Sequence, residues 1–295
     1  MNTYQFGEVS ITWLDGMRSY HDGGVLFGPV PKAVWNKKFP VNNKNQIPQV
    51  MDPILLQYQG ENILIDTGIG TSKMTNKQWR NAGVTRDTTV EESLQALGLT
   101  AADIDTIIQT HMHNDHAGGL TKLVNETLKP VFPNATIYMN EIEWDEVRNP
   151  NERTTGTYLK DNWQPVQDQV VTFSDKFELN DAITLHHTGG HSRGHSIVVI
   201  AQNDETMIHM GDLLMTTAHL NPLWVPAVDD YPMTSIKQKK KWLEYGFSHQ
   251  SQFIFYHDPY YALVQWDKSG EKIVKSIPRD KEPLIPYLSL IHISE

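Results

Sequence analysis

The stretch Thr110-His111-Met112-His113-Asn114-Asp115-His116-Ala117-Gly118-Gly119-Leu120 decides how the chain is read. It follows a short β-branched run, residues 106–109, and sets four potential metal ligands within six positions. Where a strand runs out into a loop, residues two apart point the same way. His111 and His113 can therefore reach one cation, while Asp115 and His116, beyond the turn, reach another. The small residues that follow let the backbone turn at close quarters into the next element.

Three more clusters lie downstream. Thr188-Gly189-Gly190-His191-Ser192-Arg193-Gly194-His195 is a Gly-rich turn, Met210-Gly211-Asp212 ends a strand-like run, and Tyr256-His257-Asp258 ends another. Eight of the thirteen histidines fall between His111 and His209. Cysteine is absent, which excludes disulfides, thiolate sites and a Cys nucleophile, so any metal must be held by His and carboxylate.

Strand-like runs occupy residues 9–14, 53–58, 62–65, 106–109, 136–139, 182–186, 196–201, 206–209 and 252–256. Helical patterns occupy 89–97, with Val90, Leu94 and Leu97 at i, i+4 and i+7, and also 140–148 and 232–246. The two kinds alternate without a Ser/Gly linker, which predicts a single α/β domain of two stacked sheets. Segments 27–49 and 216–231 are rich in Pro, Asn and aromatics without a period, so substrate contacts are expected there.

With 295 residues, 39% hydrophobic and 20% charged, the composition is that of a globular protein. The net charge of −10 opposes nucleic acid or an anionic membrane as partner. Met1 to Trp13 lacks the pattern of a signal peptide, and no run reaches the roughly 18 apolar residues of a membrane span, so a cytoplasmic location is expected. The closing octet LSLIHISE, residues 288–295, resembles a translated frame of a sequencing adapter. The expected native domain is therefore 1–287, with an N-terminal arm at about 15–50.

Asp66 in Ile65-Asp66-Thr67-Gly68, the H-x-H-x-D-H run, the G-H-S-x-G-H turn, Gly211-Asp212 and the late His257 occur in the order found in the metallo-β-lactamase superfamily. The resemblance implies an αββα four-layer sandwich. It implies that His111, His113 and His191 hold a first metal, that Asp115, His116 and His257 hold a second, and that Asp212 bridges them. Asp66 would pin loops behind the site, and His195 would fix the turn around it. Seven nitrogen and oxygen ligands favour two Zn2+ ions, with Mn, Fe or Co compatible. Such a pair shares a water and lowers its pKa toward about 7, and Asp115 is placed to pass a proton to the leaving alkoxide. A histidine at 113 argues against the di-iron, oxygen-reducing branch of the superfamily, and the negative charge argues against its nucleases.

The flanking segments narrow the resemblance. His21-Asp22-Gly23-Gly24-Val25-Leu26-Phe27-Gly28-Pro29 with Trp35, Ala218-His219-Leu220-Asn221-Pro222-Leu223-Trp224, Asp229-Asp230-Tyr231-Pro232-Met233 and Phe255-Tyr256-His257-Asp258-Pro259 are similar to the YtnP-type quorum-quenching lactonases. The implied reaction is opening of the lactone ring of N-acyl homoserine lactones, by attack of metal-bound hydroxide on the ester carbonyl. An apolar pocket for the acyl tail would draw on Phe27, Trp35, Met215, Leu220, Trp224 and Tyr231, with His219 beside them. His21 and His249 read as surface residues. The alternatives are a methyl-parathion-hydrolase-like phosphotriesterase or aryl esterase, and a non-catalytic metal-stabilised binding protein, against which the complete ligand set argues. A homodimer is compatible with the sequence, and whether the arm makes one is not written in it.

Overall fold

The computed structural model describes residues 1–81 and 83–279. The adapter-like octet 288–295 lies outside the described residues.

The first ten strands are β1 (Asn2–Phe6), β2 (Val9–Trp13), β3 (Met17–Asp22), β4 (Gln46–Met51), β5 (Ile54–Tyr58), β6 (Glu61–Ile65), β7 (Val84–Arg86), β8 (Thr106–Ile108), β9 (Thr121–Val124) and β10 (Thr127–Pro130). Then come β11 (Thr136–Asn140), β12 (Val170–Phe173), β13 (Lys176–Glu178), β14 (Ile183–His187) and β15 (Ser196–Gln202). The last are β16 (Glu205–His209), β17 (Gln252–Ile254), β18 (Tyr261–Trp266) and β19 (Ile273–Pro278). One sheet has the order β1-β2-β5-β6-β8-β11-β12 and the other β13-β14-β15-β16-β17-β18-β19. The arm forms a separate ribbon, β4-β3-β7.

Alternation along the strands builds the layers. Ile54 and Leu56 of β5 face inward with Ile63, Ile65, Ile183, Leu185, Val198 and Ile200, all buried between the sheets. Leu55 and Leu64 point the other way, onto Leu94 of the helix Val90–Ala96 and Val147 of the helix Glu141–Arg148. On the far side Ile197, Val199 and Phe253 meet Trp242 and Leu243 of the helix Pro232–Ser248. Helix, sheet, sheet and helix are thus the four layers expected. Pro232 begins the last helix, at a position where its missing N–H costs nothing. Among the described residues, no helix is long and apolar enough to cross a membrane.

The strands not anticipated are mostly edge strands and the arm. Segment 27–49 is only partly irregular: it contains the helix Lys32–Trp35 and enters β4, which pairs with β3 across 23 intervening residues. Such non-local pairing leaves little trace in local sequence pattern.

Candidate metal centre

Strand ends deliver the ligand-type residues to one rim. β6 ends one residue before Asp66, β8 three before His111, β16 three before Asp212 and β17 three before His257, while the β14–β15 turn carries His191. His111, His113, His116, His191, Asp212 and His257 are all buried. Asp115 keeps 28% of its side chain exposed, so it faces the opening.

The ligand atoms converge in overlapping groups. His111, His113 and His191 form one, His111, His116 and Asp212 another, and Asp115, His116 and His257 a third, each with its atoms within 4.8 Å. Asp212 spans them: Oδ2 is 3.3 Å from His191 Nε2, and Oδ1 is 3.3 Å from both His116 Nε2 and His257 Nε2. Asp115 Oδ2 is 3.5 Å from His257 Nε2 and 3.7 Å from His116 Nε2.

The outward nitrogens show that this donor set suits cations. His116 Nδ1 lies 2.8 Å from Asp66, His191 Nδ1 2.7 Å from Asp229, His257 Nδ1 2.9 Å from the Val50 carbonyl and His111 Nδ1 3.1 Å from Thr110 Oγ1. Carboxylates and carbonyls only accept, and the Thr110 hydroxyl is already donated to Asp66, so each Nδ1 carries the proton. The four Nε2 lone pairs then point inward. His116 and His257 bring theirs to 3.0 Å, and His191 Nε2 stands 2.9 Å from His113 Nδ1. His111 Nε2 is buried with no hydrogen-bond partner. Converging lone pairs repel unless a proton or a metal ion lies among them.

The electrostatics agree. Burial holds His111 well below the usual imidazole range, helped by His116, His113 and His191. His113 is pushed down to about 3 by burial and by His191. Burial acts the same way on His116, but Asp212, Asp115 and Asp66 outweigh it and raise that pKa well above normal. On Asp212 burial favours the neutral acid, yet His257, His116 and His191 prevail and keep it ionised. Positive charge is therefore drawn to this cluster.

Asp66 adopts φ 54° at the end of β6, and its carboxylate receives the Thr110 N–H and hydroxyl as well as His116. His195 accepts the Asp212 N–H at Nε2 and contacts Thr188 Oγ1 through Nδ1. A side chain at Gly211 would lie 2.6 Å from His195 Nε2, and φ there is +50°, so glycine is required.

The residues expected in the acyl pocket are placed differently from one another. Phe27 is stacked between Trp35 at 4.9 Å and His219 at 4.6 Å, and Phe27, Trp35 and Met215 lie in a small core with Leu26, Phe39 and Ile47. Both His219 nitrogens are engaged, with Thr216 Oγ1 and the Leu26 carbonyl, so this ring ties the arm to the 216–231 segment. Leu220 and Trp224 are half-buried and Tyr231 is exposed. A cleft of about 300 Å³ next to Asn114 is lined by Ile69, Met74 and Leu159 together with Lys73 and Asn162.

Three residues outside the expected site set bear on it. Glu143 is fully buried and receives the Met112 N–H at 2.7 Å, Tyr158 Oη at 2.9 Å, Ser192 Oγ at 2.6 Å and the Gly194 N–H at 3.2 Å, joining the two ligand loops. Asp229 orients His191. His21, expected at the surface, has a buried Nε2 and lies close enough to feel the charges of Asp115 and His257. Only a helical-face polar residue, an acidic loop pair and a lone arm histidine mark these positions in sequence, and none of those features is distinctive.

The crystal structure of a probable metal-dependent hydrolase from Staphylococcus aureus superposes with a TM-score of 0.91 at 40% identity, covering 95% of this chain and all of that one. AidC, a dizinc quorum-quenching lactonase in complex with a product, N-hexanoyl-L-homoserine, superposes with a TM-score of 0.78 over 95% of this chain and 98% of its own; at 21% identity this likeness concerns the fold. The N-acyl homoserine lactonase AttM of Rhizobium radiobacter is 23% identical over 221 residues, 70% of this chain and 80% of its own length. The family model of the metallo-beta-lactamase superfamily matches residues 52–248, which contain every ligand-type residue described above except His257. The chain belongs to the metallo-beta-lactamase superfamily and is a metal-dependent hydrolase.

Proposed function

We propose that this protein opens the lactone ring of N-acyl homoserine lactones at a dinuclear centre. The observation that carries the dinuclear reading is Asp212, whose two oxygens face two different imidazole groups at the same 3.3 Å separation. On this reading His111, His113 and His191 hold one divalent ion, Asp115, His116 and His257 hold the other, and Asp212 serves both; zinc suits the donors best. When bound, the ions supply a nucleophilic water at neutral pH and Lewis acidity at the ester carbonyl.

The chain's own groups do the rest. The carbonyl and carboxylate acceptors on Nδ1 hold His116, His191 and His257 in the tautomer that presents Nε2 inward, and the Thr110 hydroxyl does the same for His111. Asp115, the one partly exposed carboxylate of the set, is placed to move a proton to the alkoxide that leaves the opened ring. The Ile69, Met74 and Leu159 cleft offers an apolar surface to an acyl tail. A neutral ester also suits a chain of net charge −10 better than an anionic substrate does. The names of the lactonase relatives point the same way.

The test is a proton-release assay on N-hexanoyl and N-decanoyl homoserine lactones, with and without chelator, beside a phosphotriester and an aryl ester. Chelator-sensitive lactone opening is expected, with metal content and turnover falling together in Asp212→Ala and His116→Ala. Turnover of the phosphotriester without lactone opening would replace this reading with the phosphotriesterase one.

A further inference from the structure

Lys73 ends the 3-10 turn Thr71–Lys73 at the edge of the cleft of about 300 Å³ beside Asn114. An ammonium carries three donors and no acceptor. Those of Lys73 are all committed: Nζ lies 2.7 Å from the Gly118 carbonyl, 2.7 Å from Thr121 Oγ1 and 2.6 Å from Asn162 Oδ1. The Thr121 hydroxyl donates its own proton to the Asp161 carbonyl, so toward Lys73 it accepts. The cation has no proton left for a ligand and instead orients its neighbours.

That orientation passes through two side chains. Asn162 is 2% exposed in the helix Lys160–Trp163, and its oxygen has to face the ammonium, because two donors cannot pair. Its Nδ2 is thereby turned to Asn114 Oδ1, at 2.9 Å. With its oxygen held by that donor, Asn114 points its own NH2 the other way. Among the described residues nothing accepts from Asn114 Nδ2, and the atom is not buried. The residue is partly exposed and lines the cleft. Its backbone is fixed as well, through donation from its N–H to Thr157 Oγ1 at 3.2 Å.

Asn114 stands between His113 and Asp115 in the chain, its Cα about 3.8 Å from each of theirs. Asp115 is the ligand-type residue that faces the opening. An oriented, unpaired donor therefore sits where the apolar cleft of Ile69, Met74 and Leu159 meets the ligand cluster.

We infer that Asn114, aimed by Lys73 through Asn162, donates to the carbonyl oxygen of the substrate's acyl amide and makes the enzyme prefer lactones that carry one. A fixed NH2 can only donate, so the group it selects is an acceptor. The amide carbonyl is the acceptor that joins the lactone ring to the tail; with the ester at the ligand cluster and the tail on the cleft wall, it falls beside Asn114. Lys73 and Asn162 are positioning residues that act through Asn114. The inference rests on the lactonase reading and adds which residues recognise the part of the substrate that does not react.

The experiment compares N-hexanoyl homoserine lactone with a γ-alkyl lactone of similar length that lacks the amide. Wild type, Asn114→Leu and Asn162→Asp are measured for kcat and KM, for metal content by plasma emission, and for thermal unfolding. In Asn114→Leu the ratio of kcat/KM for the amide lactone to that for the alkyl lactone should fall about 3- to 10-fold, the loss of one hydrogen bond, and mainly through KM, because the amide takes no part in the bond that breaks. Asn162→Asp leaves Asn114 in place but replaces its donor neighbour with an acceptor. The new carboxylate pairs with Lys73 and accepts from Asn114 Nδ2, which turns the Asn114 oxygen toward the cleft, so the ratio should fall by a similar factor while metal content stays at the wild-type level. An unchanged ratio in Asn114→Leu, equal losses on both lactones, or a loss that follows metal content would overturn the inference and leave the lactonase reading intact. A ratio lowered in Asn114→Leu but unchanged in Asn162→Asp would overturn the positioning role of Lys73 and Asn162. Failure of the wild-type enzyme to open the amide lactone would overturn both the inference and the reading beneath it.

Discussion

Replacing Glu143 with glutamine tests how the two ligand loops are held together. The carboxylate accepts four hydrogen bonds, two on each oxygen: Met112 N–H and Tyr158 Oη on Oε1, Ser192 Oγ and Gly194 N–H on Oε2. Met112 lies between His111 and His113, and Ser192 follows His191, so Glu143 couples the two strand exits of the first ligand group. In Glu143→Gln one oxygen becomes an NH2, which must face either the Met112 or the Gly194 N–H. The hydroxyls can rotate and accept, but a backbone N–H cannot, so one buried donor is orphaned at a cost of about 1–3 kcal/mol. The carboxylate's charge assistance to the others is lost as well. Urea unfolding of the metal-free protein should report that loss, and competition with a chromophoric chelator should show the weaker ion held about 10- to 100-fold less tightly, the usual effect of changing a partner just outside the ligands. An unfolding free energy and metal affinities indistinguishable from wild type would refute this reasoning.

Asp229→Ala frees His191 Nδ1 and should weaken metal binding about 10- to 100-fold with little change in fold, measured by metal content after dialysis against graded chelator. Gly119→Ala puts a methyl group 2.0 Å from the Thr67 carbonyl oxygen, a backbone atom that cannot swing away, so it should lower stability by about 3 kcal/mol or more in thermal unfolding. Lys239 is buried and donates to the carbonyls of His219 and Trp224, and burial depresses its pKa to about 8, against the partial opposition of Asp229. Between about pH 8 and 10.5 the unfolded chain therefore binds a proton that the folded chain has released, so this group's contribution to stability rises with pH across that window and is flat on either side. The unfolding free energy of wild type relative to Lys239→Met should increase by up to about 3 kcal/mol from pH 7.5 to 10.5; no change in that difference would show that the ammonium is not desolvated.

Much of the candidate centre was legible because its ligand-type residues are local events. His111, His113, Asp115 and His116 sit in one strand exit, and Gly-rich turns with His or Asp after a β-branched run need no tertiary knowledge to be noticed. The hydrophobic alternation that makes Ile54 and Leu56 face one way and Leu55 the other is likewise written in consecutive residues. The arm was harder. Phe27 and Trp35 are aromatic residues in an irregular segment, which suggests a pocket, but folding stacks them with His219 into a core of their own.

What the sequence by itself determined is the identity and order of the donors and the two-sheet alternation, because residue chemistry and periodicity are properties of neighbours along the chain. Only the tertiary structure decided that Glu143 would receive donors from both ligand loops, that Asp229 would hold His191, and that His21 would turn inward beside Asp115 and His257. Each depends on segments between about 30 and 240 residues apart being brought to hydrogen-bonding or charge-sensing range. A buried polar side chain takes its role from the partners the fold brings to it, and those partners cannot be read from its own stretch of sequence.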